Sequence, residues 1–153
     1  MTQDKFPRRG NIRGRTSARG SNHLAFRLRI PYRPWMKSES IQQLTEHLRK
    51  FAAERDWEQF HSPKNLAMAL SVEVAEIVEH FQWLTEQQSR DLDAAKKAEV
   101  EEELADALIY LVRLADQLKI DLLEAAERKL AVNESKYPAE KVRGSARKYS
   151  EYD

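Results

Sequence analysis

Apolar residues recur at helical spacing in four segments of the chain. The first segment starts after a capping residue, Ser40, and predicts a helix over about 40–55. The second starts at Ser62, an N-cap, with Pro63 at the first helical position, and extends to about Leu84. Its apolar stripe consists of Leu66, Ala69, Leu70, Ile77 and Phe81.

A polar link at about 85–93 separates these helices from two more. The fourth helix is capped by Asp121 and ends near Lys136, where Tyr137 and Pro138 stop it. The third carries the longest stripe: Val100, Leu104, Ala107, Leu108, Leu111, Leu114, Ala115 and Leu118. Four amphipathic helices with short links predict an all-α four-helix bundle, because bundling covers every stripe at the least cost.

Charge and glycine divide the 153 residues into a leader and a body. The first 35 residues hold nine Lys or Arg against one Asp, and three of the four glycines. We therefore expect a disordered basic leader at 1–37, a domain at 38–138 and a polar tail at 139–153. The leader also resembles a nucleic-acid-binding tail or a transit peptide, and Met36 offers an alternative start of translation.

The composition excludes several classes of site. The chain has no cysteine, which excludes disulfides, thiolate zinc sites and cysteine nucleophiles. It also has no glycine-rich phosphate loop. The longest apolar run, Ala107 to Val112, is far shorter than the roughly 20 residues that span a bilayer. We expect no membrane partner and a cytoplasmic protein, since no apolar signal segment follows the basic start.

Two helices carry carboxylate pairs within their apolar stripes. Because successive helix residues lie about 100° apart, Glu73 and Glu76 point to the stripe of the second helix, as Glu103 and Asp106 do on the third. Converging carboxylates repel one another unless a cation compensates them, and an oxygen-only set favours Mg²⁺ first and Mn²⁺ second. The alternative is that these acids lie at the edge of the stripe and pair with Lys or Arg.

These residues resemble the MazG-type all-α nucleoside triphosphate pyrophosphohydrolases. That family's acidic signature is matched by Glu73-Val-Ala-Glu76 and, 26 residues later, Glu103-Leu-Ala-Asp106, although Val72 stands where many members have a further Glu. The resemblance is greatest to the dCTP pyrophosphatases. It rests on the stretches FAAERDWEQFHSPKNLAMAL, HFQW, EEELADALIYLV and NESKYP.

The resemblance implies an enzyme that cleaves dCTP, or a related pyrimidine nucleotide, to the monophosphate and pyrophosphate. It implies Mg²⁺ ligands and catalytic residues at Glu73, Glu76, Glu103 and Asp106. It places further residues around the substrate: Trp57, His61, Trp83 and Tyr110 at the nucleotide, and Lys129, Asn133 and Lys136 at the phosphates. The family's histidine in the first helix falls here at Leu48, beside His47, which leaves the base preference open.

Two other functions stay open at this point. One keeps the chemistry but extends the substrate to a broad range of (d)NTPs. The other is a non-enzymatic helical interaction protein whose leader binds RNA; without that leader we expect no nucleic-acid partner. In each case the breadth of the apolar stripes predicts a homo-oligomer, and the resemblance implies a dimer or a tetramer.

Overall fold

The computed structural model describes residues 37–146, and all regular structure in that range is helical. The prediction of an all-α fold is confirmed. The predicted leader up to residue 36 and the last seven residues of the tail lie outside the described residues. The helices are α1 (Ile41–Ala53), α2 (Pro63–Phe81), α3 (Glu86–Arg90), α4 (Ala94–Leu118), α5 (Leu122–Lys136) and α6 (Ala139–Val142), with a 3-10 turn at Glu58–Phe60 between α1 and α2.

Side-chain caps start the four long helices where the sequence predicts them. The Ser40 and Ser62 hydroxyls accept hydrogen bonds from backbone N–H groups three residues on, at 3.2 and 3.3 Å. Asp93 and Asp121 cap α4 and α5 in the same way, at 2.8 and 2.9 Å. Each cap satisfies a donor that the first turn of a helix leaves unpaired, so these starts are set locally.

Two short helices were not predicted. Helix α3 lies in the polar link, where Thr85 and Gln88 form a reciprocal capping box. Helix α6 lies in the tail behind Pro138. Both have five residues or fewer, too short for an apolar period to appear in the sequence.

Helix α4 is the centre of the packing, against α2 along most of its length and against α1. The buried apolar residues come from these three helices: Ala52, Leu66, Val100, Val112 and Ala115. None of the helices between residues 37 and 146 is both long enough and apolar enough to cross a bilayer.

The stripe predicted for α4 is buried only in part. Val100 and Ala115 are buried, whereas four of its leucines are 40–54% exposed: Leu104, Leu108, Leu111 and Leu118. Near the end of α4 the buried residues also include Val112 and two charged residues, Arg113 and Asp116. Helix α5 contributes no buried residue. Within the described residues the chain therefore leaves apolar surface exposed on the leucine side of α4.

Candidate functional site

Helices α2 and α4 bring the predicted acids together. Glu73 on α2 and Glu103 and Asp106 on α4 each offer a carboxylate oxygen, and these three oxygens lie within 4.8 Å of one another. Glu76, one turn after Glu73, adjoins the same cluster, because it lines one cavity with Glu103 and its charge acts on both Glu73 and Glu103. The two helices therefore bring all four predicted carboxylates close together.

The cluster is electrostatically unfavourable by itself. Loss of hydration raises the pKa of Glu73, and the charges of the neighbouring carboxylates raise it further. Loss of hydration and the charge of Glu76 likewise raise the pKa of Glu103. Like charges that face each other disfavour ionisation, so the cluster favours either bound protons or a bound cation.

The acids are accessible, which the apolar stripes did not predict. Glu73 and Glu103 are partly buried, whereas Glu76 and Asp106 are exposed. A cavity of about 310 Å³ opens here, lined by Glu76, Glu79, His80, Lys96 and Glu103. Because the carboxylates border open space rather than the packed interior, a ligand can reach them.

His80 lies on the flank of the acid cluster. Its Nε2 is 3.9 Å from a Glu103 oxygen and its Nδ1 is 3.8 Å from a Glu99 oxygen, which Lys96 also approaches at 3.1 Å. The two distances from the His80 ring are longer than hydrogen bonds, so the ring borders the cluster without being held by it.

The donor set fits a hard divalent cation. Three carboxylates in mutual reach, with a fourth adjoining, supply only oxygen, which is the ligand type that Mg²⁺ and Mn²⁺ prefer. The raised pKa values of Glu73 and Glu103 indicate charge that a cation would compensate. Glu73, Glu76, Glu103 and Asp106 are therefore the residues that would hold a metal ion.

A second cavity, of about 400 Å³, lies beside the acids between α1, α4 and the link after α1. Trp57, His61 and Tyr110, which the family resemblance places at the nucleotide, line it together with His47 and Leu48. Its lining is mostly apolar. Asp106 belongs both to this lining and to the acid cluster, so the two sites adjoin.

The turn that ends α1 places Trp57 in this cavity. Asp56 adopts a left-handed conformation with φ of 53°, and the Trp57 N–H then donates to the Ala52 carbonyl at 3.0 Å. The indole meets Phe51 edge-on at a centroid distance of 5.7 Å and His61 at 6.4 Å. The indole keeps 44% of its surface exposed, which leaves its face available to a planar ligand.

Four predicted substrate residues do not line the cavity. Trp83 follows the end of α2 and is 86% exposed. Lys129, Asn133 and Lys136 share one face of α5, being four and three residues apart. None of these four residues is among those that line the two cavities.

The sequence analysis missed a buried charged network behind the cavity. Arg113 and Asp116 are 3% and 9% exposed, and they pair at 2.9 Å. Arg113 also lines the aromatic cavity. The only signal in the sequence was an Arg and an Asp three residues apart at the end of an apolar segment, a pattern that exposed helix faces show equally well.

Comparisons with known proteins agree with this architecture. The MazG-like family model matches residues 68–152. A human protein named dCTP pyrophosphatase 1 is 43% identical over 144 residues, 93% of this chain and 81% of the relative. The mouse protein of the same name is 48% identical over 104 residues, 67% of this chain and 61% of the relative.

The match with the human protein extends into the predicted leader, because residues 38–153 alone make up less than 93% of the chain. Among solved structures, a pyrophosphatase from Archaeoglobus fulgidus superimposes with a TM-score of 0.62 at 44% identity. The match covers 67% of this chain and 95% of that one. The family match over more than half of the chain, the all-α fold and the converged acids together establish that the chain belongs to the MazG-like family.

Proposed function

We propose that the chain is a pyrophosphohydrolase that cleaves dCTP, or a related pyrimidine dNTP, to the monophosphate and pyrophosphate in the cytoplasmic nucleotide pool. The observation that carries this proposal is Asp106, which joins the acid cluster to the aromatic cavity. A triphosphate at the acids and a base in the cavity would then belong to one ligand. Relatives named dCTP pyrophosphatase 1 support the choice of substrate.

The catalytic residues of this proposal are the four carboxylates. Mg²⁺ held by Glu73, Glu76, Glu103 and Asp106 would supply charge neutralisation on the triphosphate and acidify a coordinated water. A carboxylate that is not fully occupied as a ligand can accept the proton of the attacking water.

Pyrophosphate release from a panel of nucleotides, with Mg²⁺, with Mn²⁺ and with a chelator, tests the proposal. We expect Mg²⁺-dependent release with the highest kcat/KM for dCTP. Equal rates for all (d)NTPs would support the broad-specificity alternative. A chain that releases no pyrophosphate under any condition would leave the non-enzymatic interaction protein as the better account.

We propose that a second copy of the chain covers the leucine side of α4, as a dimer or as part of a tetramer. Leu104, Leu108, Leu111 and Leu118 are each at least 40% exposed, and Leu123 and Leu130 of α5 are 48% and 59% exposed. This much exposed apolar surface on two successive helices is typical of an interface. Lys129, Asn133 and Lys136 on α5 would then approach the phosphates from the neighbouring copy.

The oligomer has a direct test. Analytical ultracentrifugation at micromolar concentration should give a mass at least twice 17.9 kDa. Leu108→Glu, at an exposed position, should shift the protein towards the monomer, whereas Gln88→Glu on α3 should not. A wild-type chain that sediments as a monomer at that concentration would contradict the proposal.

Stacking at Trp57 predicts a specific kinetic defect. Trp57→Ala should raise KM by about 5- to 150-fold, since base stacking contributes about 1–3 kcal/mol. The value of kcat should fall much less, because stacking is present in both the ground state and the transition state. Steady-state kinetics with dCTP and dTTP measure both, and we expect the two substrates to weaken alike. A loss confined to kcat would contradict the stacking role.

A further inference from the structure

A buried arginine lies behind the aromatic cavity without a role in the proposed chemistry. Arg113 is 3% exposed, its Nη1 donates to Asp116 at 2.9 Å, and its Nη2 lies 3.4 Å from Nδ1 of His61. Its Nε is buried without a hydrogen-bond partner. Burying a guanidinium is costly unless a carboxylate compensates it, so this arrangement requires a physical reason.

Asp116 holds the guanidinium of Arg113 in place. The Asp116 carboxylate also accepts two hydrogen bonds from Nε of Arg49, at 3.0 and 3.1 Å, and one from its Nη2 at 2.5 Å. Arg49 belongs to α1 and Asp116 to α4, so the carboxylate links the two helices. The position of Arg113 is therefore determined by the packing of α1 on α4.

The contact between Arg113 and His61 allows only one direction of donation. A guanidinium carries N–H donors and no acceptor, so Nδ1 of His61 has to be the acceptor. A neutral imidazole that accepts at Nδ1 carries its proton on Nε2. Burial, and then the charge of Arg113, lower the pKa of His61, which keeps the ring neutral. His61 lines the cavity, and among the described residues its Nε2 makes no hydrogen bond, so the polar group that His61 can offer to a ligand is an N–H donor.

We propose that Arg113 is a positioning residue that fixes His61 as the Nε2–H tautomer and thereby makes it a donor to position 3 of a pyrimidine base. Cytosine has an acceptor at N3, whereas thymine and uracil have a donor there. A donor facing position 4 would favour thymine, and one facing O2 would not discriminate. Position 3 is therefore the one at which this donor favours dCTP, and the inference rests on the proposed function in that respect.

The tautomer can be observed without any turnover. In the full-length chain labelled with ¹⁵N-histidine, the long-range ¹H–¹⁵N spectrum distinguishes protonated from unprotonated ring nitrogens, and loss of the signal in His61→Gln assigns it. We expect an unprotonated Nδ1 and a protonated Nε2 at neutral pH. A proton on Nδ1 of His61 would overturn the proposal.

The wild-type chain also tests the base contact, with a dCTP analogue in which C–H replaces N3. We expect its kcat/KM to be about 10-fold below that of dCTP, the effect of one lost hydrogen bond. His61→Ala should abolish this difference. Equal kcat/KM for both nucleotides in the wild type would overturn this inference alone. Absence of pyrophosphate release from dCTP with Mg²⁺ would overturn the proposed function, and the base contact with it.

Variants of Arg113 distinguish a role in positioning His61 from a purely structural role. Arg113→Met removes the donor, and we expect mixed His61 tautomers with a loss of most of the preference for dCTP over the analogue. Arg113→Lys keeps a donor and should restore both, while Arg90→Met, at an exposed arginine, should change neither. If a folded Arg113→Met kept both the single tautomer and the preference, Arg113 would not be the positioning residue. If Arg113→Met fails to fold, the histidine spectrum of the wild type and its kcat/KM for the analogue still test the proposal.

Discussion

Turnover of dCTP should fall by at least about 100-fold in Glu73→Gln and in Asp106→Asn. Changes to residues that only support metal ligands already cost about 10- to 100-fold, so loss of a ligand should cost at least as much. Each substitution keeps the shape of the side chain and removes its charge. Pyrophosphate release at saturating Mg²⁺ measures the effect.

Stability separates a catalytic defect from a folding defect in these variants. The pKa of Glu73 is raised in the folded protein, so its ionised form opposes folding above the ordinary pKa of a glutamate. Glu73→Gln should therefore melt at the same temperature as the wild type, or slightly higher, in the presence of a chelator. Glu102→Gln, at an exposed position of α4, is the matched control and should keep full activity. Near wild-type rates in Glu73→Gln would contradict its assignment as a ligand.

The free energy of unfolding should drop by on the order of 3 kcal/mol in Asp116→Asn. The substitution leaves Arg113, which is 3% exposed, buried without a carboxylate. An uncompensated buried charge is more costly than the pair it came from. Urea denaturation at pH 7 measures the loss, with Asp91→Asn on the surface as the control.

The Asp116 carboxylate also predicts that the stability of the fold depends on pH. Hydrogen bonding by Arg49 lowers the pKa of Asp116 below its ordinary value. A carboxyl with a lowered pKa stabilises the fold above its unfolded pKa, and this contribution is lost as the pH falls through the folded value. The wild type and Asp116→Asn should therefore differ fully at pH 7 and begin to converge only below about pH 4, the ordinary pKa of an aspartate. Equal urea midpoints at pH 7 would contradict a stabilising role of the carboxylate.

Helix starts could be predicted because they depend on neighbours in the chain. Ser40, Ser62 and Asp121 cap the helices that they were expected to cap, through hydrogen bonds that span three residues. The ends were less accurate: α2 stops at Phe81 rather than near Leu84. Fraying of a last turn depends on what packs against it, which local sequence does not contain.

The residues of the candidate site could be predicted from the sequence, but the way in which the two helices bring them together could not. The spacing of Glu73 and Glu76, and of Glu103 and Asp106, places each pair on one side of its helix. Their meeting depends on the relative rotation and axial shift of α2 and α4, which side-chain packing sets. For the same reason Trp83, equally prominent in the sequence, lies away from the cavity.

Local spacing and residue type were enough to predict the helices, the acids on their faces and the family. Which part of α4 is buried depends on the packing between helices, because a helix with apolar residues on several sides can pack by any of them. This packing buried Arg113 and Asp116 and left Leu104 and Leu108 exposed. The charged pair Arg113 and Asp116 can be buried between α1 and α4 because Arg49 completes the hydrogen bonds of Asp116. Arg49 lies 67 residues away from Asp116 along the chain.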